Sequence, residues 1–199
     1  MKNLTTNKEI SFKEICCLLK QGKCLVLPSD TTYALIAFTQ AENALNNLNA
    51  AKGNPKDKLP QVLCTFEQTL ELATLDEKAL KAAKTFWPGA LTLILKSTKL
   101  AKSFLPSQSI GLRVPKDDLL LKIMQTLDGG LFASSANRHG ELYNPDLEFI
   151  KKVFAPQGIA VIEGFSKGEA SSVIDLTKEE PVLLREGKIT LEEFKKKVI

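Results

Sequence analysis

The chain has 199 residues, 44% of them apolar, and carries a net charge of +4 from 27 basic and 23 acidic residues. This composition is ordinary for a globular protein, and the basic excess permits a phosphate-bearing partner without requiring one. No apolar run approaches the roughly 20 residues of a membrane span, and the four cysteines show no C-x-x-C spacing. Because no signal peptide is recognisable either, we expect a reduced cytoplasmic protein that does not bind a membrane.

Helix and strand patterns alternate along the chain, beginning with an amphipathic helix at 12–21 that Gly22 ends. Strands are predicted at 24–28, 33–38, 61–66, 90–96, 109–114, 131–136, 159–164, 171–176 and 181–186. Further helices are predicted at 41–53, 67–74, 76–86, 117–127, 146–154 and 190–198. This order predicts an α/β protein, and the late strands that follow one another without helices predict a mixed sheet. We expect a single domain over residues 1–199.

Polar segments interrupt the pattern where strands and helices end. PSDTTYAL (28–35) places four polar side chains in a row, and on sequence alone a turn is the favoured interpretation. AAKGNPKDKLP (50–60) carries three lysines. There Lys52 either suits the end of a helix or belongs to a cationic loop beside an active site. Thr92, in FWPGALTLIL (86–95), is either ordinary strand filling or a hydroxyl directed at a cavity.

The chain contains only three arginines, and two of them, Arg113 and Arg185, follow apolar strand residues. An arginine in such a setting lies either in water at the end of the strand or opposite an anion, because burial without a partner is unfavourable. Lysine supplies most of the remaining positive charge, so each arginine is a candidate for planar, two-pronged recognition of an anion.

Two serine pairs flank apolar strands, in SSANRHGE (134–141) and ASSVIDLT (170–177). Ser135 lacks a G-x-S-x-G elbow, and the single histidine, His139, lies four residues away in a predicted loop, so a serine nucleophile is rejected. Walker and Rossmann glycine patterns are also missing. Hydroxyls, an amide and fixed cations without a base or metal cage suit the orientation of an anionic substrate, as in phosphoryl or nucleotidyl transfer.

Read in order, these segments resemble the YrdC-like family of threonylcarbamoyl-AMP synthases. The family patterns are P-T-[DE]-T-x-Y-G-L, K-x-R-P, W-P-G-x-x-T, R-x-P, S-x-N, S-T-[IV] and R-x-G. Here they read PSDTTYAL (28–35), KGNP (52–55), WPGALT (87–92), RVP (113–115), SAN (135–137), SSV (171–173) and REG (185–187). Seven patterns in the same order and spacing indicate family membership.

The resemblance implies a twisted mixed sheet with flanking helices around a large, basic cavity. It implies the synthesis of threonylcarbamoyl-AMP and pyrophosphate from L-threonine, bicarbonate or CO2, and ATP, with Mg2+ expected on the phosphates. The product would serve the t6A modification of tRNA through a transferase complex. The protein's part would be to hold the reactants together and to offset their charge.

The resemblance also implies which residues form the site, with Lys52 and Arg113 in catalytic roles. Threonine would be bound by Ser29, Thr32, Arg113 and Ser171. The nucleotide and its phosphates would be bound by Lys52, Asn54, Thr92, Ser135, Asn137 and Arg185. No residue is assigned as a metal ligand, and no role follows for Arg138 or His139.

One departure from the family pattern bears on activity, because Asn54 replaces the arginine of K-x-R and removes a fixed charge. Lys56 or Lys58 in the same loop would be the residues to compensate for it. This departure keeps two alternatives open: a YciO-like paralogue without the synthase activity, and an RNA- or nucleotide-binding protein. Against RNA binding, the chain has only two tyrosines and one tryptophan to serve as stacking platforms.

Overall fold

The computed structural model describes residues 10–54 and 59–199. Within them, ten strands join in one sheet. The strands are β1 (Leu25–Leu27), β2 (Ala34–Phe38), β3 (Gln61–Leu63), β4 (Ala73–Thr74), β5 (Leu91–Ser97), β6 (Ser109–Arg113), β7 (Leu131–Ser135), β8 (Ala160–Val161), β9 (Ser172–Asp175) and β10 (Val182–Arg185). The helices are α1 (Phe12–Lys20), α2 (Ala44–Lys52), α3 (Phe66–Leu72), α4 (Glu77–Phe86), α5 (Lys99–Phe104), α6 (Asp118–Leu127), α7 (Leu147–Phe154) and α8 (Leu191–Val198), with a 3-10 turn at Ala155–Gln157.

The strands lie in the order β10-β9-β5-β6-β3-β7-β2-β1-β8, with β4 paired to β5. The β1–β8, β3–β6 and β5–β9 pairs are parallel and the other pairs antiparallel, which confirms the mixed sheet. Of the three late strands, only β9 and β10 pair with each other. Strand β8 crosses to the opposite edge and pairs with β1.

Helices cover both faces of the sheet, which explains why the central strands are continuous apolar runs. One face packs Val26, Leu35, Val62 and Phe132 into a large core that includes α4 and α8 residues. The opposite face packs the alternate strand residues, such as Ile36, against α1 and α6. All five β2 residues are buried as a result.

The predicted elements are confirmed to within a few residues, with two omissions and one overprediction. The six-residue helix α5 and the two-residue strand β4 were absent from the prediction. The strand predicted at 159–164 is reduced to Ala160–Val161, because the chain leaves the sheet edge and follows an irregular path toward Ser171. Among the described residues, no helix has the length and apolar character needed to cross a bilayer.

Candidate active site

Arg113, the last residue of β6, is almost completely buried, with 2% of its surface exposed. Its Nε donates to the carbonyl of Gly89 at 2.9 Å, and its Nη1 donates to Thr31 Oγ1 at 2.8 Å. Its Nη2 forms an ion pair with Asp30, whose side chain is 8% exposed. Burial lowers the pKa of Arg113, and the negative charge of Asp30 opposes that shift. Asp30 therefore holds a buried cation in place.

The W-P-G segment supplies one of these contacts. It joins α4 to β5 through a cis peptide bond between Trp87 and Pro88. The indole nitrogen of Trp87 donates to the carbonyl of Leu91 at 2.6 Å, and Gly89 N donates to Val114 O at 2.9 Å. These bonds fix the Gly89 carbonyl beside Arg113, so the motif positions an acceptor for the buried guanidinium.

The PSDTTYAL segment is a turn, as the sequence favoured, but the turn also builds the site. Ser29 Oγ donates to Thr32 O at 2.6 Å and accepts a bond from Thr31 N at 3.2 Å. Ser29, Thr31 and Thr32 are all buried. The turn leaves Asp30 and Thr31 directed at Arg113, so the turn and ligand-site interpretations describe the same segment.

A second group of polar residues surrounds Ser171, which precedes β9. Arg185 Nε donates to Ser171 O and Arg185 Nη2 to Ser171 Oγ, both at 2.9 Å. Thr92 Oγ1 lies 2.9 Å from Ser171 Oγ and donates to Gln61 Oε1 at 2.6 Å. Thr92 and Ser171 are buried, whereas Arg185 is exposed to solvent overall.

The guanidinium of Arg185 is partly desolvated at this contact. This desolvation lowers the pKa of Arg185, and the positive charge of Arg113 lowers it further. In the part of the chain that the structure describes, no carboxylate lies within ion-pair distance of Arg185. Two arginines that repel each other, one without a carboxylate partner, favour an anion in their shared field.

Gly187 explains the glycine of the R-x-G pattern. Its backbone nitrogen donates to Ser172 Oγ at 3.0 Å, so the chain after Arg185 lies directly against β9. A Cβ at this position would come within 2.6 Å of Ser171 C and 2.7 Å of Ser172 N. Only glycine allows this approach, and the approach brings Arg185 to Ser171.

A third group is centred on Lys52, the buried last residue of α2. Its Nζ donates to Ser135 O at 2.9 Å and Asn137 Oδ1 at 3.0 Å, and also contacts Asn137 O. Ser135 Oγ donates to Asn137 Oδ1 at 2.6 Å, and the Asn137 amide donates to Glu141 O. Lys52 thus fastens the loop after β7, and Ser135 faces an amide rather than a base.

Asn54, which was also predicted to bind the nucleotide, is placed differently from Lys52. It is exposed, its backbone nitrogen donates to Asn49 O at 2.7 Å, and its φ is +56°. Gly53 before it has φ +88°, so α2 ends on two successive left-handed residues. Asparagine tolerates this conformation better than arginine does, which gives the replacement a backbone reason. The compensating residues considered above, Lys56 and Lys58, lie outside the described residues.

The first and third groups meet through Tyr33. Its carbonyl accepts a bond from Ala136 N at 2.8 Å, between Ser135 and Asn137. The strand register agrees, because Ala34 pairs with Ser135. The Tyr33 hydroxyl contacts Gly164 O, and Tyr33 N donates to Tyr143 OH at 2.9 Å. Tyr33 therefore connects the turn at 29–32 to the loop that Lys52 holds.

An acidic cavity lies apart from the predicted site residues. A cavity of about 1140 Å3 opens beside the Phe38–Leu131 pair of β2 and β7, whereas Ser135 lies at the Ala34 end. None of the predicted site residues lines it, and neither does any described lysine or arginine. Its charged lining residues are acidic: Glu67, Glu71 and Asp128. Ser135 and the residues bonded to it therefore lie toward the opposite end of β2 and β7 from this cavity.

The structure thus groups the predicted residues differently from the division into nucleotide and threonine subsites. Thr92 and Arg185 lie with Ser171, and Lys52, Ser135 and Asn137 form their own group. Asn54 joins no group through a side-chain bond. The sequence prediction missed three residues that contact the site directly: Asp30, Thr31 and Gln61. Asp30 stood inside a quoted motif, but nothing local marked Gln61.

In this α/β protein, buried hydroxyls lie beside two arginines whose charges interact, an arrangement that suits an anionic ligand at the strand ends. Arg138 and His139 remain exposed and contribute no side chain to these groups. The chain belongs to the Sua5/YciO/YrdC family, whose model is described as "Telomere recombination" and matches residues 17–187.

Two curated relatives have the name threonylcarbamoyl-AMP synthase. The threonylcarbamoyl-AMP synthase of Pyrococcus abyssi is 34% identical over 185 residues, which cover 89% of this chain and 54% of the relative. That of Bacillus subtilis is 30% identical, covering 96% and 57%. The chain therefore spans about half the length of these curated relatives.

Solved structures agree with the fold. P. abyssi Sua5 complexed with L-threonine has a TM-score of 0.86 at 31% identity, covering 96% of this chain and 58% of that one. Escherichia coli YciO has a TM-score of 0.82 at 25% identity and covers 95% of both chains. The YciO relative is named as uncharacterised, so its name suggests no competing activity.

Proposed function

We propose that this protein is an L-threonylcarbamoyladenylate synthase, a nucleotidyltransferase that uses L-threonine, bicarbonate or CO2, and ATP. The observation that carries the proposal is the bond from Arg185 to the buried hydroxyl of Ser171, next to Thr92, within reach of the positive charge of Arg113. These groups suit a substrate that combines negative charge with hydrogen-bonding groups. The synthase names of two relatives and the threonine complex of P. abyssi Sua5 support the same choice.

The chemistry requires charge compensation more than proton transfer. The amine of threonine bonds to the carbon of CO2 and loses a proton, which gives a carbamate. A carbamate oxygen then attacks the α-phosphorus of ATP, the bond from phosphorus to the bridging oxygen breaks, and pyrophosphate leaves. Both reactants are anions, so fixed cations that offset their repulsion lower the barrier.

In our proposal, the three groups of residues bind different parts of the substrates. Arg185, which is accessible and forms no ion pair with a carboxylate of the described residues, contacts the phosphates. Arg113 donates one N–H from each guanidinium nitrogen to a protein acceptor, and it acts through its charge on threonine or phosphate. Lys52 and the loop it fastens, with Ser135 and Asn137, bind the nucleotide. The threonine contacts are assigned to the turn at Ser29–Thr32 and to Ser171.

In this proposal, Mg2+ binds together with ATP. Mg2+ is commonly bound through substrate phosphates and retained waters rather than through a cage of protein ligands. Within residues 10–54 and 59–199, no three His, Cys, Asp or Glu side chains gather in a way that could hold a metal. We assign Mg2+ to the triphosphate of ATP.

The wider setting follows from the proposed product. We propose a cytoplasmic enzyme of tRNA processing whose product passes to the complex that completes the t6A modification. RNA binding by the protein itself belongs to the alternative proposal, that of a YciO-like paralogue or an RNA- or nucleotide-binding protein. The two proposals differ in whether bicarbonate is consumed.

The test is pyrophosphate release in the presence of threonine, ATP and bicarbonate, with each reactant omitted in turn. We expect release that disappears when either threonine or bicarbonate is withheld. In Arg185→Met the rate should fall on the order of 10- to 100-fold, as expected for the loss of a hydrogen bond from a charged group. The matched control Arg138→Met, at an exposed arginine outside the site, should match the wild type. Release that ignores bicarbonate would refute the proposal.

A further inference from the structure

A chain of hydrogen bonds runs from Arg185 to Gln61 through two buried hydroxyls. Arg185 Nη2 donates to Ser171 Oγ at 2.9 Å, Ser171 Oγ lies 2.9 Å from Thr92 Oγ1, and Thr92 Oγ1 donates to Gln61 Oε1 at 2.6 Å. A guanidinium has only donors, and each hydroxyl has one proton. Because Thr92 gives its proton to Gln61, Ser171 is the donor in the bond between the two hydroxyls.

The contact between Gln61 and Thr92 crosses an intervening strand. Gln61 begins β3 and Thr92 lies in β5, and β6 separates the two in the sheet. Neighbouring strands lie about 4.8 Å apart, so a bond across two spacings requires an open path between the side chains. Gly111 of β6 lies on that path, and a Cβ there would fill it, in contact with Thr92 Cγ2 at 3.5 Å and Gln61 Cα at 3.8 Å and only 3.0 Å from Ile94 Cδ1.

We infer that Gln61 is a positioning residue that sets the direction of this chain and thereby the specificity of the site. With Gln61 Oε1 as the last acceptor, the protons of Ser171 and Thr92 are both used within the protein. The lone pairs that remain on these hydroxyls can only accept. A ligand group at this point must then be a donor, such as an amine or a hydroxyl, and a carboxylate is rejected.

The inference rests on the proposed function, in which Ser171 contacts threonine. It specifies which end of threonine Ser171 binds. Threonine carries two donors, its amine and its hydroxyl, and the amine keeps one N–H after it becomes a carbamate. The directed hydroxyls would therefore bind the donor end of threonine and leave its carboxylate to the arginines. An amide turned the other way would donate to Thr92 and free a hydroxyl proton for a carboxylate.

The test is threonine binding by isothermal titration calorimetry, which does not require turnover. Gln61→Met, which removes the acceptor, should weaken binding about tenfold, the equivalent of one hydrogen bond. Gln61→Glu, which can only accept while ionised, should stay within about threefold of the wild type. Binding of ATP should be unchanged in Gln61→Met, which adds no charge near Arg185.

A second arm separates a positioning role from a local packing defect. If Gln61 acts through Thr92, the double variant Gln61→Met/Thr92→Val should bind threonine no more weakly than Thr92→Val alone. Additive losses, or unchanged binding in Gln61→Met, would overturn the inference. If the wild-type protein binds threonine but makes no bicarbonate-dependent product, the proposed synthase activity is overturned. The threonine affinities of the Gln61 variants still decide the inference about Gln61. A wild-type protein that binds no threonine would overturn both.

Discussion

The buried ion pair between Asp30 and Arg113 should be the most sensitive electrostatic contact in the described part of the protein. The two side chains are 8% and 2% exposed, so neither charge is solvated once its partner is removed. In Asp30→Ala, Arg113 would keep its bonds to Gly89 O and Thr31 Oγ1 but lose the only carboxylate with which it forms an ion pair among the described residues.

The expected loss follows from that burial. Removing one partner of a buried pair costs about 3–5 kcal/mol of unfolding free energy. In a chain of this size about 1 kcal/mol shifts the melting temperature by roughly 2–4 °C, so Asp30→Ala should melt roughly 6–20 °C lower. The exposed pair between Lys197 and Glu193 is the control, and Glu193→Gln should change stability by less than about 1 kcal/mol.

A double-mutant cycle in urea measures the pair itself. Asp30→Asn, Arg113→Met and the double variant should give a coupling energy of about 2–3 kcal/mol, at the upper end for contacting residues. A coupling below about 0.5 kcal/mol, the level at which independent sites add, would refute the assignment of Asp30 as the partner that holds Arg113.

Three further predictions follow from single residues. Asn54→Arg should destabilise the protein by about 1 kcal/mol in urea, because its φ is +56°, whereas Asn54→Gly should not. An unchanged midpoint in Asn54→Arg would remove the backbone explanation of this replacement. Burial raises the pKa of Asp117, with the charge of Asp30 adding to it, so its contribution to stability is greatest at acid pH and is lost as pH rises through the folded pKa. Asp117→Asn should therefore gain stability relative to the wild type from pH 4 to pH 7, and an equal difference at both pH values would contradict this. Burial raises the pKa of Cys24 and Cys64 to about 12, so native labelling by iodoacetamide at pH 8 should reach the exposed Cys17 and spare those two. Mass spectrometry of the peptides would show it, and rapid labelling of Cys64 would contradict it.

The fold was largely predictable because strand and helix signals in this chain are local. The apolar runs that became β2, β5 and β7 are bounded by turn residues, and the amphipathic patterns of α1 and α6 match faces that pack on the sheet. Helix α5 was missed because its six residues are too few to show a period. The two-residue strand β8 depends on its partner β1 rather than on its own sequence.

The site was predictable only in part, because some of its contacts join residues that are far apart in the sequence. Motifs identified Lys52, Ser135 and Asn137, and the structure brings these three together. The pairing of Asp30 with Arg113 joins residues that are 83 positions apart, and no periodicity reports such a contact. The bond from Thr92 to Gln61 depends on the register of three strands and on the missing side chain of Gly111, which only the assembled sheet defines.

The acidic cavity beside Phe38 and Leu131 was not predicted at all. Its charged residues come from separate segments, with Glu67 and Glu71 on α3 and Asp128 just after α6. Each of these residues has an ordinary local role in the sequence, such as a helix start or a helix end. Only the fold shows that they share one opening, which lies away from the cations of the candidate active site.

The most direct measurement of the proposed synthase activity is the fate of isotopically labelled bicarbonate. The protein is incubated with ATP, L-threonine and 13C-bicarbonate, and the adenylate products are analysed at once by mass spectrometry. We predict a threonylcarbamoyl-AMP ion whose mass is raised by the label, together with stoichiometric pyrophosphate. An unlabelled threonine adenylate, or pyrophosphate released without an adenylate that contains the label, would contradict the account.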